Sequence, residues 1–378
     1  MKKIIEASTA VAIAAKLCRP KVIGAYPITP QTHIMERIAD FIYDGEFDAE
    51  LIDVESEHSA ISACLGAQAT GVRTFTATAS QGLALMHEIL FVVSGMRLPV
   101  VMAVANRSLS APINIWNDWQ DSISARDSGW MQFYVESAQE ALDTVIMAYK
   151  IAENKNIMLP AMVCLDGFTL SHVYEPVDIP SQKQADGFLP EYRPEFYLDP
   201  KKPVTMGPIA FPNTFMEFKE EQQKAMEKAI SVIKKINSEF NKEFKRKYGN
   251  GLIETYKMND ADYAVLTMGS ICGTARMVID ELRKKGKKVG LIKIKCFRPF
   301  PAEDLINTTK NLKGIAVIDR NISLGYEGAL YTETKAALCN QKTAISPFVA
   351  GLGGRDVKKE HIVKAIAGIG KTKAVWLK

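Results

Sequence analysis

Four short stretches place groups able to bind an anion and move a proton just after apolar, strand-like runs. The first is Ala25-Tyr26-Pro27-Ile28-Thr29-Pro30-Gln31-Thr32, which follows the apolar Val22-Ile23-Gly24 and leads into residues with helical apolar spacing. Thr29 reads as an N-cap and Pro30 as the first helical residue. A helix start leaves backbone N–H groups unpaired and carries partial positive charge, so a carboxylate or phosphate is stabilised there. The other reading is a plain structural cap. The second stretch, Glu55-Ser56-Glu57-His58, opens an alanine-rich helix. Glu57 is either an acid for proton chemistry or a first-turn carboxylate favoured by the helix dipole. The third, Ala79-Ser80-Gln81-Gly82, offers a hydroxyl and an amide. The fourth, Asn106-Arg107-Ser108, ends the near-neutral run Leu98 to Ala105, where a lone guanidinium suits a bound carboxylate, with a surface or ion-pairing arginine as the alternative. Gathered on one sheet edge, these groups would hold an anionic small molecule and exchange protons with it.

The elements that would gather them follow from periodicity. Strand-like runs at about 22–26, 50–54, 73–78, 99–105 and 160–165 alternate with helical patterns at about 30–43, 58–69, 82–96 and 138–153. That alternation predicts a parallel sheet with helices on both faces, whose ligands lie beyond the carboxyl ends of the strands. From Pro176 to Pro212 prolines and charges are frequent, which predicts a long extended crossing segment. A helix is then expected from about Phe215 to Tyr248, with Phe218, Ala225, Ala229, Val232, Ile233, Ile236, Phe240 and Phe244 on one stripe. A second α/β unit begins near Asp262, with strands around 264–268, 288–294, 315–319 and 347–351. Gly351-Leu352-Gly353-Gly354 lacks dinucleotide-loop spacing and reads as a tight strand-to-helix turn, and no phosphate-binding Walker sequence occurs. The expected division is residues 1–175, an intervening 176–257, and 258–378.

Composition narrows the function classes. With 378 residues, 47% apolar and 24% charged, the chain is an ordinary globular protein long enough for two domains. A net charge of +4 carries no nucleic-acid footprint, and no apolar run is long enough to span a bilayer. The segment Met1 to Ala15 resembles an export signal but is interrupted by Glu6 and followed by Lys16; it is expected to be a helix running into the first strand, in a cytoplasmic protein. Six scattered cysteines without a C-x-x-C pair argue against a zinc or iron–sulfur site held by this chain alone.

Taken together, Tyr26-Pro27-Ile28-Thr29-Pro30, Glu55-Ser56-Glu57-His58, Thr78-Ala79-Ser80-Gln81-Gly82, Asn106-Arg107, Asn117-Asp118-Trp119-Gln120-Asp121 and Leu165-Asp166-Gly167-Phe168 resemble the alpha subunits of pyruvate:ferredoxin oxidoreductases. The resemblance spans nearly the whole chain. It implies two doubly wound α/β domains: a thiamine-diphosphate pyrimidine-binding type and, through Met268-Gly269-Ser270 and Lys295-Cys296-Phe297-Arg298-Pro299, a transketolase C-terminal-like one. It also implies thiamine diphosphate shared with a beta subunit, with magnesium and iron–sulfur clusters in other subunits. Implied partners are beta, gamma and delta-type subunits, ferredoxin, pyruvate and coenzyme A, with neither nucleic acid nor membrane. By resemblance Glu57 hydrogen-bonds the pyrimidine ring, Thr29 and Arg107 take the 2-oxoacid carboxylate, and Pro27, Ile28, Ser80 and Gln81 line the cofactor. The chain departs from some members at Trp119, where they carry histidine; Trp119 reads as packing against the cofactor or a partner. Alternatives left open are a complex for another 2-oxoacid (oxalate, a branched-chain acid or 2-oxoglutarate), a non-redox thiamine-dependent transferase, and a non-catalytic scaffold subunit.

Overall fold

The computed structural model describes residues 1–378. Strands are numbered in chain order. The first sheet holds seven: β2 (Val22–Ala25), β3 (Glu50–Asp53), β4 (Thr74–Thr78), β5 (Val101–Asn106), β6 (Met131–Tyr134), β7 (Ala161–Asp166) and β12 (Cys296–Arg298). Their order is β12-β6-β7-β5-β4-β2-β3, all parallel except β12, which runs antiparallel to β6. The second sheet holds β9 (Ile253–Tyr256), β10 (Tyr263–Thr267), β11 (Val289–Ile294), β13 (Gly314–Asp319), β14 (Ala344–Ala350) and β15 (Val375–Leu377). Its order is β15-β14-β13-β10-β11-β9, parallel apart from β9. Both are doubly wound, as the alternation predicts. Every residue of β4, β5 and β7 is buried, because helices cover both faces of a parallel sheet and leave no solvated side.

Three expectations change. Residues Lys2–Glu6 are a strand, β1, not the start of a helix; β1 pairs antiparallel with β8 (Tyr174–Asp178), and the helix begins at Ala7 and runs to Cys18. The reason is a partner remote in sequence: Met1 anchors the ribbon by donating its terminal ammonium to the Ile179 carbonyl at 2.7 Å. The same pairing shortens the crossing segment, which also contains a helix, Gln182–Phe188, started by a Ser181/Gln184 capping box. The expected 82–96 helix is two, Ser80–Leu85 and His87–Gly95, joined at Met86.

The long helix spans Phe215–Phe244 and buries the expected stripe except Phe218, which is exposed. Phe240 and Phe244 stack at 4.3 Å and meet Phe188 edge-on, so the stripe packs within this chain. β9 lies ahead of residue 258 and β12 behind it, so each sheet takes a strand from the other side of that point. The units are also joined by buried charge. Glu140, on the helix Ala138–Ala152, accepts from Lys293 Nζ at 2.7 Å and Lys295 Nζ at 2.8 Å, all three side chains being shielded from water. No helix is long and apolar enough to cross a membrane.

Candidate functional site

Because β3, β2, β4 and β5 are consecutive and parallel, Glu57, Thr29, Ser80 and Arg107 leave the same sheet edge in adjacent loops. The convergence expected from sequence is present. Its details differ at the first loop. The helix after β2 starts at Thr32 with Gln31 as N-cap, not at Pro30 with Thr29. Gln31 accounts for the shift: its Nε2 donates to the Tyr26 and Ala77 carbonyls, both at 2.9 Å, and its N–H closes a turn on the Ile28 carbonyl. Thr29 is thereby left exposed, Pro27 is exposed and Ile28 half-buried, so this loop forms a rim.

Glu57 is the first residue of the helix Glu57–Ala69, capped by Ser56, whose Oγ accepts from the Ser59 N–H at 3.3 Å. That helix lies close over β2 because residue 24 is glycine: a Cβ there would sit 2.3 Å from the Ala60 carbonyl oxygen. Glu57 is 6% exposed, yet no group of the chain hydrogen-bonds its carboxylate. A carboxylate set here without a partner in the chain is free to meet a ligand donor. Two more unpaired groups stand nearby in the fold: Thr78 Oγ1 and Gln81 Nε2 are buried without partners. Gly82 brings two of these groups together, since a Cβ on it would meet Thr78 Oγ1 at 2.4 Å and Glu57 Oε1 at 2.6 Å. Thr78 and Gly82 are site residues that reading the sequence for reactive side chains did not single out. The signal was the glycine two residues after Ser80, where a helix would otherwise favour alanine.

Arg107 is 8% exposed and has no carboxylate partner. Its Nε donates to the Asn114 carbonyl and its Nη1 to the Thr29 carbonyl, both at 3.0 Å, so the first and fourth loops are in contact and Nη2 is left over. Burial pushes its ionisation downward, with Asp121 opposing. Ser80 adopts a left-handed φ of 49° and donates from Oγ to the Ser108 carbonyl at 2.5 Å, which ties it to the fourth loop.

Asp121 lies behind these loops, 1% exposed. Its Oδ2 accepts from the Ser80 and Arg107 N–H groups, both at 2.9 Å, and its Oδ1 from Asn106 Nδ2 at 2.8 Å and the Ser122 N–H at 2.7 Å. Asp118 is buried too; burial pushes its carboxyl up to about 6, against the pull of the Gln120 N–H. Trp119 is fully buried inside this chain, which corrects its expected place against a cofactor or partner. Its Nε1 donates to Asp166 at 2.7 Å and its ring meets Tyr134 edge-on.

A cavity of about 810 Å³ lies at the opposite, amino edge of the first sheet. Its cations Lys16, Arg19, Lys21 and Arg73 are each paired with a carboxylate, which leaves none for a ligand. No cluster of three or more His, Cys, Asp or Glu side chains is arranged to hold a metal ion.

Comparison with known proteins shows the family. The family described as pyruvate flavodoxin/ferredoxin oxidoreductase, thiamine diphosphate-binding, matches residues 13–238, and pyruvate:ferredoxin oxidoreductase core domain II matches 261–362. The chain is 57% identical to pyruvate synthase subunit PorA of Methanocaldococcus jannaschii, over 98% of this chain and 95% of that protein. It is 49% identical to ketoisovalerate oxidoreductase subunit VorA of Pyrococcus horikoshii, over 97% and 93%. Among solved structures, a 2-oxoglutarate:ferredoxin oxidoreductase from Magnetococcus marinus superposes with a TM-score of 0.74 at 19% identity, covering 97% of this chain and 65% of that one. At that identity the likeness speaks for the fold.

Proposed function

This chain belongs to the pyruvate flavodoxin/ferredoxin oxidoreductase family, and from that premise we propose which of its residues carry the chemistry. It is the alpha subunit of a pyruvate:ferredoxin oxidoreductase, or pyruvate synthase, one part of a multi-subunit complex. The reaction converts pyruvate and coenzyme A to acetyl-coenzyme A and carbon dioxide with reduction of ferredoxin, and runs in reverse as carbon fixation.

Glu57 is the acid that faces the aminopyrimidine of thiamine diphosphate. The observation that carries this assignment is a largely buried side chain whose carboxylate has no partner in the chain, set beside the buried, unpaired Thr78 Oγ1 and with Gln81 Nε2 also left unpaired. When bound, the cofactor supplies the nucleophile and electron sink that a 2-oxoacid needs to lose carbon dioxide. The protein's share is to hold and release protons and to aim the substrate. Glu57 shares a proton with the pyrimidine ring and so controls its basicity. Gly82 gives the close approach, and Gln81 and the Pro27-Ile28 rim line the ring. Ser80, tied to the Ser108 loop, acts as a support of the pocket.

Arg107 Nη2 and the Thr29 rim receive the substrate carboxylate. Its remaining bonds go to backbone carbonyls, so the guanidinium is preset and need not leave an internal anion to bind an external one. That grip weakens as the carboxylate becomes neutral carbon dioxide, so Arg107 contributes by binding and aiming pyruvate rather than by stabilising the transition state over it. The diphosphate, magnesium and iron–sulfur clusters belong to a beta subunit and its gamma and delta-type companions, working in the cytoplasm with ferredoxin as acceptor.

The test is Glu57→Gln in the purified complex, assayed by pyruvate- and coenzyme A-dependent reduction of a viologen dye. Loss of turnover by about 100-fold or more is expected, with subunits still co-purifying. Near-normal turnover would remove Glu57 from the mechanism. Running wild type with pyruvate and with 2-oxoisovalerate tests the substrate, and pyruvate is expected to give the higher kcat/KM.

A further inference from the structure

The Asn114 and Thr29 carbonyls hold the Arg107 guanidinium at its far end, and the direction in which the side chain leaves the sheet depends on what holds its backbone. β4 and β5 end side by side, and the N–H groups of Ser80 and Arg107, just past those ends, are beyond the reach of the strand ladder. Buried backbone N–H groups require an acceptor. Both find the same one, Asp121 Oδ2, while Oδ1 is filled by Asn106 Nδ2 and the Ser122 N–H. The carboxylate therefore accepts four hydrogen bonds, all from donors at the ends of these two strands or at its own helix turn. Asp121 also closes the excursion that starts at Arg107 and supplies, through Asn114, the acceptor for Arg107 Nε. One side chain thus sets where the arginine begins and closes the loop against which it lies.

We infer that Asp121 is a positioning residue for the 2-oxoacid carboxylate: it locks the backbone at Ser80 and Arg107 into one unit so that Arg107 Nη2 is presented to the substrate. This rests on the reading of Arg107 as the carboxylate-binding group. The chemistry requires a carboxylate at 121. An asparagine of the same shape has a single acceptor oxygen, and its amide N–H₂ would face two N–H donors on the other arm, leaving them unpaired. Asp121 touches neither substrate nor cofactor, so its removal should act through Arg107.

The experiment compares Asp121→Asn, Arg107→Ala and the double variant as purified complexes, measuring KM for pyruvate, KM for coenzyme A, kcat and melting temperature. Asp121→Asn is expected to raise the pyruvate KM about tenfold or more and leave the coenzyme A KM within about twofold. In the Arg107→Ala background it should add almost nothing to the pyruvate KM, because the group it positions is already gone. A merely structural Asp121 would lower the melting temperature and kcat and move both KM values together. That result, or a full additional effect in the double variant, overturns the inference. An unchanged pyruvate KM in Arg107→Ala alone overturns the reading of Arg107 instead. If Asp121→Asn does not assemble, Asn106→Ala decides, since it takes one donor from Asp121 and leaves the carboxylate in place. It should raise the pyruvate KM about threefold with the coenzyme A KM unchanged, and no change in pyruvate KM there counts against the inference.

Discussion

Gly82→Ala separates placement of Glu57 from its chemistry, because it alters no reactive group. Gly82 is buried in the helix Ser80–Leu85 with ordinary helical backbone, so alanine is acceptable to the chain and gains up to about 1 kcal/mol of helix propensity. The obstacle is space. The new methyl would lie 2.6 Å from Glu57 Oε1 and 2.9 Å from its Cγ, and 2.4 Å from Thr78 Oγ1, where real Cβ atoms keep at least 3.0 Å. Thr78 is β-branched and held in β4, so its side chain has few other rotamers. Glu57 is the longer and freer of the two and must retreat from the methyl. Overpacking of this kind costs about 1–3 kcal/mol, which the helix gain partly offsets, so the melting temperature should change by only a few degrees. Catalysis has no such compensation: misplacing a reacting group by about 1 Å costs on the order of 100-fold. Viologen reduction by the purified variant complex should therefore fall by about two orders of magnitude while its melting curve stays near wild type. Turnover within about threefold of wild type would refute the reasoning, and so would a loss of activity matched by a collapse of the melting temperature.

Two further outcomes concern the frame around the site. Glu140→Gln leaves Lys293 and Lys295 buried with their main counter-charge removed, so it should destabilise the chain by about 3–5 kcal/mol, read as a fall in melting temperature; a change below about 1 kcal/mol would refute that role for Glu140. Asp118, pushed up to about 6 by burial and by Asp121, binds a proton in the folded chain that the unfolded chain has already lost above about pH 4. Its contribution is therefore favourable below pH 4 and is lost as pH rises through 6, at up to about 1.4 kcal/mol per pH unit. Asp118→Asn should remove that slope, so that the melting temperature of the variant gains on wild type between pH 4.5 and 7.5; parallel curves would place the proton elsewhere.

How much of this was legible in the chain depends on where each group's partners lie in sequence. The meeting of Glu57, Ser80 and Arg107 at one sheet edge was legible because a parallel sheet gathers the residues after its strands, and those strands announce themselves as apolar runs between helical patterns. The Thr29 cap was misjudged because Gln31 is anchored by the Ala77 carbonyl, from a strand about 50 residues away, and no local rule for helix starts contains that contact. Lys2–Glu6 looked helical for the same reason, since its ladder partner is Tyr174–Asp178. Gly82 has no side chain to read, and its meaning, clearance for a carboxylate, exists only once the neighbouring helix is in place. The role of Asp121 was hidden by the excursion from Arg107 that must fold back before its carboxylate reaches Ser80.

That excursion also explains why a second α/β unit is attached to a site built wholly on the first. In an open parallel sheet, the helix starts beyond the strand ends are where anions bind, and the second unit has one after β10, at the helix Ile271–Lys284. It is filled from within: Asp166, at the end of β7, accepts from the Ser270 N–H at 2.9 Å and from Arg320 Nη1 at 2.9 Å, as well as from Trp119. The carboxyl edges of the two sheets thus face each other across one buried carboxylate. The loop from Arg107 to Asp121 runs through that junction. The Trp119 N–H donates to the Arg320 carbonyl at 2.9 Å, the Gly354 N–H to the Asn117 carbonyl at 2.6 Å, and Asn114 Nδ2 to the Gly353 carbonyl at 3.2 Å. Gly353 and Gly354 both take left-handed φ in the tight turn after β14, which lets the backbone come this close. Asn114 in turn fixes Arg107 Nε. The second unit therefore acts on Arg107 at one remove: with its own anion site occupied by Asp166, it serves as the wall that keeps the arginine loop closed, and Trp119, where that loop meets the wall, supplies bulk and one N–H to Asp166.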